Sequence, residues 1–186
     1  SRAGDTMIDE TLLLQRVKAG DRTAFDSLVD RYHREIYFLA LRFMKNAEDA
    51  EDITQQAFLR AFEKIDSFRG DAAFNTWLYR VTVNLCNTRL RSRKETAELN
   101  ENTRDERSQD DSPSAGIIKQ EAASAASAAV ESLPEKQRLA VSLRVFNELS
   151  YREIGEIIGC SEQTAKVNFH YGMENLRKKM KQNGTL

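Results

Sequence analysis

The chain has only two prolines and eight glycines in 186 residues. Few positions therefore force a helix to break, and β-branched runs are short, so the pattern predicts an all-α protein. Cysteine is equally scarce. Cys86 and Cys160 stand alone, with no CxxC or Cys/His spacing, which leaves neither a disulfide framework nor a zinc site to build. Both are expected to be buried free thiols in a reducing cytoplasm. His33 and His170 lack partners at metal-ligand spacing, so no metal is expected. A Gly-rich phosphate loop and a Ser/His/Asp arrangement are also missing, and no cofactor is expected. No apolar run reaches the roughly 18 residues of a membrane span, and no signal-peptide apolar region opens the chain. The expectation is a cytoplasmic protein with no membrane insertion of its own. The six residues before Met7 are set aside from the fold reasoning.

Apolar residues make up 40% of the chain, enough for real cores. The net charge of −1 disguises an uneven distribution. From Ser161 onward five basic residues (Lys166, Arg177, Lys178, Lys179, Lys181) face two acids. Arg89, Arg91, Arg93 and Lys94 form a second basic cluster, and Glu48, Asp49, Glu51 and Asp52 an acidic one.

In chain order, residues 9–19 read as a short helix carrying Leu12, Leu13 and Val17, stopped by Gly20. Asp21 can cap the next, where Phe25, Leu28, Val29, Tyr32, Ile36, Leu39 and Phe43 recur at helical spacing to about Lys45. Asn46 can cap a third helix with the stripe Ala50, Ile53, Ala57, Phe58, Ala61 and Ile65. Its other face carries Asp49, Asp52, Gln55, Gln56 and Arg60; plain solvent contact would explain that face equally well. After a break at residues 66–71, a fourth helix runs from about Ala73 to Ser92. Phe74, Trp77, Leu78, Val81, Leu85 and Leu90 point inward and Arg80, Asn84, Asn87, Thr88 and Arg91 outward. A polar face ending in arginines suits a phosphate backbone and extruded bases, although a solvated helix end has the same pattern.

Residues 94–116 are almost free of apolar side chains and mixed in charge, so a flexible linker is expected between a first domain at 7–93 and a second at 117–183. The second opens with an alanine-rich helical stretch to Glu131. Ser132 and Glu135 then have the spacing of a capping box ahead of a helix ending near Asn147. Ser150 and Glu153 repeat that spacing before Ile154, Ile157 and Ile158. Gly159 supplies a left-handed stop, and Ser161 can cap a last helix. Gly155, inside a helix, is a cost unless something packs close to it. In the last helix Ala165, Phe169, Met173 and Leu176 make one stripe, leaving Gln163, Thr164, Lys166, Val167, His170 and Tyr171 outside. Two short helices joined this way have the helix-turn-helix pattern, whose second helix enters a DNA major groove. An ordinary pair of bundle helices has the same apolar spacing.

Two segments carry a family resemblance. AEDAEDITQQAFLRAFEKIDSFRGDAAFNTWLYRVTVNLCNTRLR resembles region 2 of sigma factors, and ESLPEKQRLAVSLRVFNELSYREIGEIIGCSEQTAKVNFHYGMENLRKK resembles their region 4. The layout, without a region-3 domain, is similar to the extracytoplasmic-function group of the sigma-70 family. The resemblance implies no catalysis, and three partners: core RNA polymerase, promoter DNA and an anti-sigma factor. It places Asp49, Asp52, Gln55, Gln56 and Phe58 against the clamp helices of polymerase. The loop from Phe68, with Arg69, and the face of Arg80, Asn84, Asn87, Thr88 and Arg91 would open and read the −10 element. Asn84 would pocket a flipped base, and Arg89 and Arg91 would hold phosphates. The −35 element would fall to Gln163, Thr164, Lys166, Val167, His170 and Tyr171, with Arg144 and Lys136 on the backbone. The sequence departs from the family where many relatives carry several arginines and this chain reads KVNFHYGM. A stand-alone helix-turn-helix regulator accounts for the last third of the chain, but leaves the acidic third-helix face without a role. A helical protein-interaction module without DNA contact is the remaining alternative.

Overall fold

The computed structural model describes residues 2–101, 126 and 128–182. The chain divides into two compact units, 1–104 and 105–186. Every regular element among the described residues is helical.

The first unit contains α1 (Arg2–Lys18), α2 (Arg22–Met44), α3 (Ala47–Glu63), a short 3-10 turn (Ile65–Ser67) and α4 (Phe74–Glu101). Its helix starts follow side-chain chemistry. Asp21 accepts from the N–H groups of Thr23 and Ala24 at 3.0 and 3.3 Å, capping α2. Asn46 accepts from the Asp49 N–H at 3.0 Å and caps α3. The core lies where α2, α3 and α4 meet, around Leu28, Ile36, Leu39, Ile53, Phe74 and Leu78, all essentially fully buried. In α1, Leu13 and Val17 join this core while Leu12 is exposed.

Two features of α4 differ from the sequence reading. The buried line runs through Leu78, Tyr79, Thr82, Val83 and Cys86, leaving Trp77, Val81, Leu85 and Leu90 half-buried. Thr82 can enter the core because its hydroxyl donates to the Leu78 carbonyl at 2.9 Å, so no unpaired polar atom is buried. Thr54 of α3 does the same toward Ala50 at 2.7 Å. Burial pushes the Cys86 thiol up to about 12. The helix also continues to Glu101 rather than ending at Ser92. Residues 93–101 hold no glycine or proline and are rich in Lys, Glu, Ala and Leu, and extending a formed helix is easier than starting one. The expected linker thus has helical residues at 94–101, while 102–116 lie outside the described residues.

In the second unit, residues 128–131 are helical and the remainder of the alanine-rich stretch lies largely outside the described residues. Then come α5 (Glu135–Phe146), α6 (Tyr151–Ile158) and α7 (Glu162–Gln182). Leu133, Leu139, Leu143, Leu149, Ile154, Ile157 and Ala165 form the core. The expected Ser132 capping box does not form. The Ser132 hydroxyl turns back to the Ala129 carbonyl at 2.7 Å, and α5 begins after Pro134 with no side-chain cap. Pro134 takes the N-cap position, two residues beyond Ser132, at φ −52° and ψ 143°. The Ser150–Glu153 box does form, with Ser150 N–H donating to Glu153 at 2.7 Å and Glu153 N–H to the Ser150 hydroxyl at 3.2 Å. Ser161 accepts from the Thr164 N–H at 3.1 Å and so caps α7.

Two glycines set the close approach of these helices. A Cβ on Gly155 would lie 2.6 Å from the Cys160 carbonyl oxygen, so the turn into α7 packs directly on α6. A Cβ on Gly172 would lie 2.6 Å from Val141 Cγ2 and 3.2 Å from the Gln137 carbonyl oxygen, so α7 crosses α5 at backbone distance. Between α5 and α6, Glu148 occupies a left-handed conformation (φ 54°) while Leu149 N–H reaches back to Leu143 O at 3.3 Å. Glycine normally fills this position.

Opposite stability changes are expected at these last two sites. Gly172→Ala should destabilise the second unit by about 1–3 kcal/mol, as overpacking does. Glu148→Gly should stabilise it by somewhat less than about 1 kcal/mol, because relief of left-handed strain is partly offset by a freer unfolded chain. Thermal unfolding of the full chain followed by circular dichroism reads both.

Candidate functional site

The acidic face of α3 is not a row of isolated carboxylates. Asp49 meets Arg89 at 3.4 Å and Arg93 at 2.6 Å. Arg89 also forms an ion pair with Asp52, whose second partner is Gln56 Nε2 at 3.0 Å. The Arg89 hydrogen bond, then that of Gln56, holds the Asp52 carboxyl below the usual carboxylate range. Gln55 donates to Glu51 at 3.4 Å, and His33 lies 3.6 Å from the same carboxylate. Asp52 and Gln55 are exposed, Gln56 is half-buried, and the Asp49 side chain is mostly covered. The structure therefore brings four of the five expected polymerase-facing residues onto one surface.

Phe58 departs from that expectation. It is buried, edge-on to Phe25 and stacked parallel on His33, because it shares the core stripe of α3. The apolar atoms that α3 does present belong to Leu59, 64% exposed, and Phe62, 37% exposed. With Phe25, Val29, His33, Gln55 and Phe58 itself they line an open groove of about 570 Å³ beside the acidic ridge, so Phe58 forms part of its floor. Sequence reading passed over Leu59 and Phe62. The available signal was two large apolar residues three positions apart and off the core stripe of an otherwise polar face.

On α4, Arg80, Asn84, Thr88 and Arg91 are exposed and Asn87 is half-buried. Their spacing places them along one side of the helix. The Thr88 hydroxyl donates to the Asn84 carbonyl at 2.9 Å, so Thr88 offers an acceptor and a methyl group outward. Arg89 does not belong to this face. Expected to hold phosphate, it turns the other way and neutralises Asp49 and Asp52.

The loop before α4 is anchored from inside. Phe68 is buried against Phe74 and Trp77, with ring centres 5.6 and 5.4 Å away, so its ring is a core anchor rather than a surface for bases. Lys18 of α1 donates to the Phe68 carbonyl at 2.5 Å. Gly70 turns the chain in the left-handed region (φ 79°) and Arg69 is left exposed. An open cleft of about 730 Å³ lies along this loop, with Lys18, Arg69, Gly70, Ala73 and Asn75 among its walls.

In the second unit, Gln163, Thr164, Lys166, Val167, His170 and Tyr171 are all exposed on α7, as the periodicity required. Arg144 is half-buried. Its Nη1 donates to the Leu149 carbonyl at 2.7 Å and its guanidinium lies 4.9 Å from the centre of the Tyr151 ring. Those contacts brace the α5–α6 turn. Lys136 is exposed.

This geometry supplies surfaces rather than a reaction centre. Among the described residues no cluster of His, Cys, Asp or Glu could hold a metal ion, and no helix is long and apolar enough to cross a membrane. Exposed amides, cations and a helix-turn-helix are the equipment of nucleic-acid recognition, while a charged ridge beside an apolar groove is that of protein docking.

Comparison with known proteins agrees with this division. Residues 28–96 match the family model described as Sigma-70 region 2, and residues 124–176 that described as Sigma-70, region 4. The RNA polymerase sigma-H factor of Pseudomonas aeruginosa is 34% identical over 93% of this chain and 94% of its own length. The ECF RNA polymerase sigma factor SigW of Bacillus subtilis is 37% identical over 90% of this chain and 95% of its own length. Among solved structures, CnrH in complex with the cytosolic domain of CnrY superposes with a TM-score of 0.69 at 19% identity, covering 94% of this chain and 98% of that one. The sigma factor RpoE of Bartonella quintana, solved with the anti-sigma factor NepR, gives 0.67 at 21% identity, covering 84% and 96%; these two show the shared fold. With both regions present in order, on separate compact units, and relatives above 30% identity along nearly the whole length, the chain belongs to the extracytoplasmic-function sigma factors of the sigma-70 family.

Proposed function

We propose that the chain binds core RNA polymerase, directs it to promoters and helps open them, under the control of an anti-sigma factor, in the cytoplasm. The observation that carries this reading is the ridge of Asp49, Asp52, Gln55 and Gln56, with Asp52 and Gln55 exposed, on the same unit as the Arg80–Asn84–Thr88–Arg91 face. A DNA-binding protein acting alone needs the second surface but not the first. The ridge and the adjoining apolar groove at Leu59 and Phe62 form the polymerase dock in this proposal, and an anti-sigma factor competes for the same surface. The chain supplies no catalysis; polymerase makes the phosphodiester bonds.

Opening the −10 element requires bases to leave the stack, since a closed duplex hides their Watson–Crick edges. Asn84 offers an amide with both donors and an acceptor at the middle of the exposed α4 face, suited to an extruded base. Arg80 and Arg91 flank it and hold phosphates on either side. Binding energy for the captured bases offsets the stacking that is lost. Phe68 and Trp77 contribute by fixing the loop, with Arg69 as its DNA-facing cation. In the second unit α7 reads the −35 element with Gln163, Thr164, Lys166, Val167, His170 and Tyr171, and Lys136 meets the backbone.

Three outcomes are expected. Asp52→Arg should weaken association with core polymerase about tenfold or more, measured by fluorescence titration, by reversing a charge on the dock. An unchanged affinity would remove α3 from the interface. Asn84→Ala should slow promoter opening, followed by permanganate reactivity of unpaired thymines, while leaving polymerase affinity intact. Arg91→Ala should reduce the salt-dependence slope of holoenzyme–promoter binding by about 1, whereas Arg89→Ala should leave it unchanged. The reverse ranking would return Arg89 to the DNA face.

A further inference from the structure

The outer face of α7 is unusual for a groove-reading helix in what it presents. Gln163, Val167 and Tyr171 are spaced by four and form one row. Val167 is 41% exposed and Tyr171 57% exposed, so the middle and far end of that row are apolar and accessible. Lys166 and His170 form the neighbouring row, and both are exposed. Arginine, the residue that reads guanine through paired donors to O6 and N7, is absent from both rows. On the neighbouring helices Arg144 donates to the Leu149 carbonyl and lies over the Tyr151 ring, and the exposed Arg152 sits 3.5 Å from Glu156.

Burial of this row is the physical question. Two apolar side chains exposed one turn apart on a helix otherwise carrying charge gain from water exclusion only if the surface they meet is itself apolar. In the major groove that surface is the C5 methyl of thymine. An amide at Gln163 is matched to adenine, which offers N7 as acceptor and N6 as donor. Lys166 and His170, displaced to one side, are placed for the phosphates flanking the groove. Residues four apart on a helix are separated by about 6 Å along its axis, and bases on one strand by about 3.4 Å. Val167 and Tyr171 therefore reach positions about two base steps apart.

Resting on the reading of α7 as the −35 recognition helix, we propose that this chain specifies A·T pairs in the upstream element, with Val167 and Tyr171 contacting thymine methyl groups and Gln163 contacting adenine. Specificity then comes mainly from methyl burial and amide pairing instead of from guanidinium–guanine pairs.

The test uses the full chain assembled with core RNA polymerase. Promoter duplexes are first selected by this holoenzyme from a library randomised in the upstream region. Each thymine of the selected element is then replaced singly by deoxyuridine, which removes only the methyl group. The proposal expects at least one such replacement to weaken binding about fourfold, the worth of one buried methyl. It also expects Val167→Ala or Tyr171→Ala to abolish the difference between thymine and deoxyuridine at that position. The proposal is overturned if deoxyuridine is neutral at every position, or if its penalty is the same in both variants and the unaltered chain. A selection that returns no upstream base preference at all, despite normal polymerase binding, would instead remove the −35 reading on which the proposal rests.

Discussion

The packing of α3 between α2 and α4 is the constraint on which the first unit depends. Ala50, Ala57 and Ala61 are fully buried, and these small side chains let neighbouring helices approach α3 closely. Close approach has an electrostatic consequence. It brings Arg89 and Arg93 of α4 within ion-pair distance of Asp49 and Asp52 of α3. Ion pairs that solvent still reaches add little stability, so their main effect is on the character of the surface. The acidic ridge is held in a fixed geometry, partly neutralised from behind, with an apolar groove along its flank. The same rotation of α4 that turns Arg89 inward to α3 leaves Arg80, Asn84 and Arg91 on the opposite side. One helix thus separates the acidic, groove-flanked surface from the face of Arg80, Asn84 and Arg91.

The second unit solves a different problem with fewer residues. Its middle helix is short, α6 running only from Tyr151 to Ile158, so close contact must make up for its limited length. Gly155 and Gly172 permit that contact, the first beneath the turn and the second where α7 meets α5. The Ser150–Glu153 box and the Ser161 cap fix where α6 and α7 begin, and with them the direction in which α7 presents its outer face. Arg144 belongs to this framework. Its guanidinium meets a carbonyl and an aromatic ring that border the turn.

Much of this was legible in the sequence, because the signals were periodicity and capping chemistry, which act locally. The boundaries of α2, α3, α6 and α7 follow from Asp21, Asn46, Ser150, Gly159 and Ser161, and the outward row of α7 follows from the burial of Ala165. What escaped depended on rotation and on distant partners. Thr82 and Tyr79 lie off the apolar stripe expected for α4, yet they are buried with their hydroxyls satisfied by Leu78 and Glu35. The resemblance assigns Arg89 and Arg91 one role, although residues two apart on a helix point about 160° apart. Phe58 and Phe68 were carried over by resemblance as contact residues, and both are core. Leu59 and Phe62 were missed because a single helix does not reveal which apolar residues its neighbours leave uncovered.

The central claim is that two recognition surfaces on separate units act only together with polymerase. Transcription reconstituted from purified core RNA polymerase and this chain, on linear fragments of genomic DNA, tests it most directly. A sigma factor predicts discrete start sites that appear only when both components are present and that share two upstream sequence elements. Absence of such starts, together with tight and specific binding of the chain alone to duplex DNA, would contradict it.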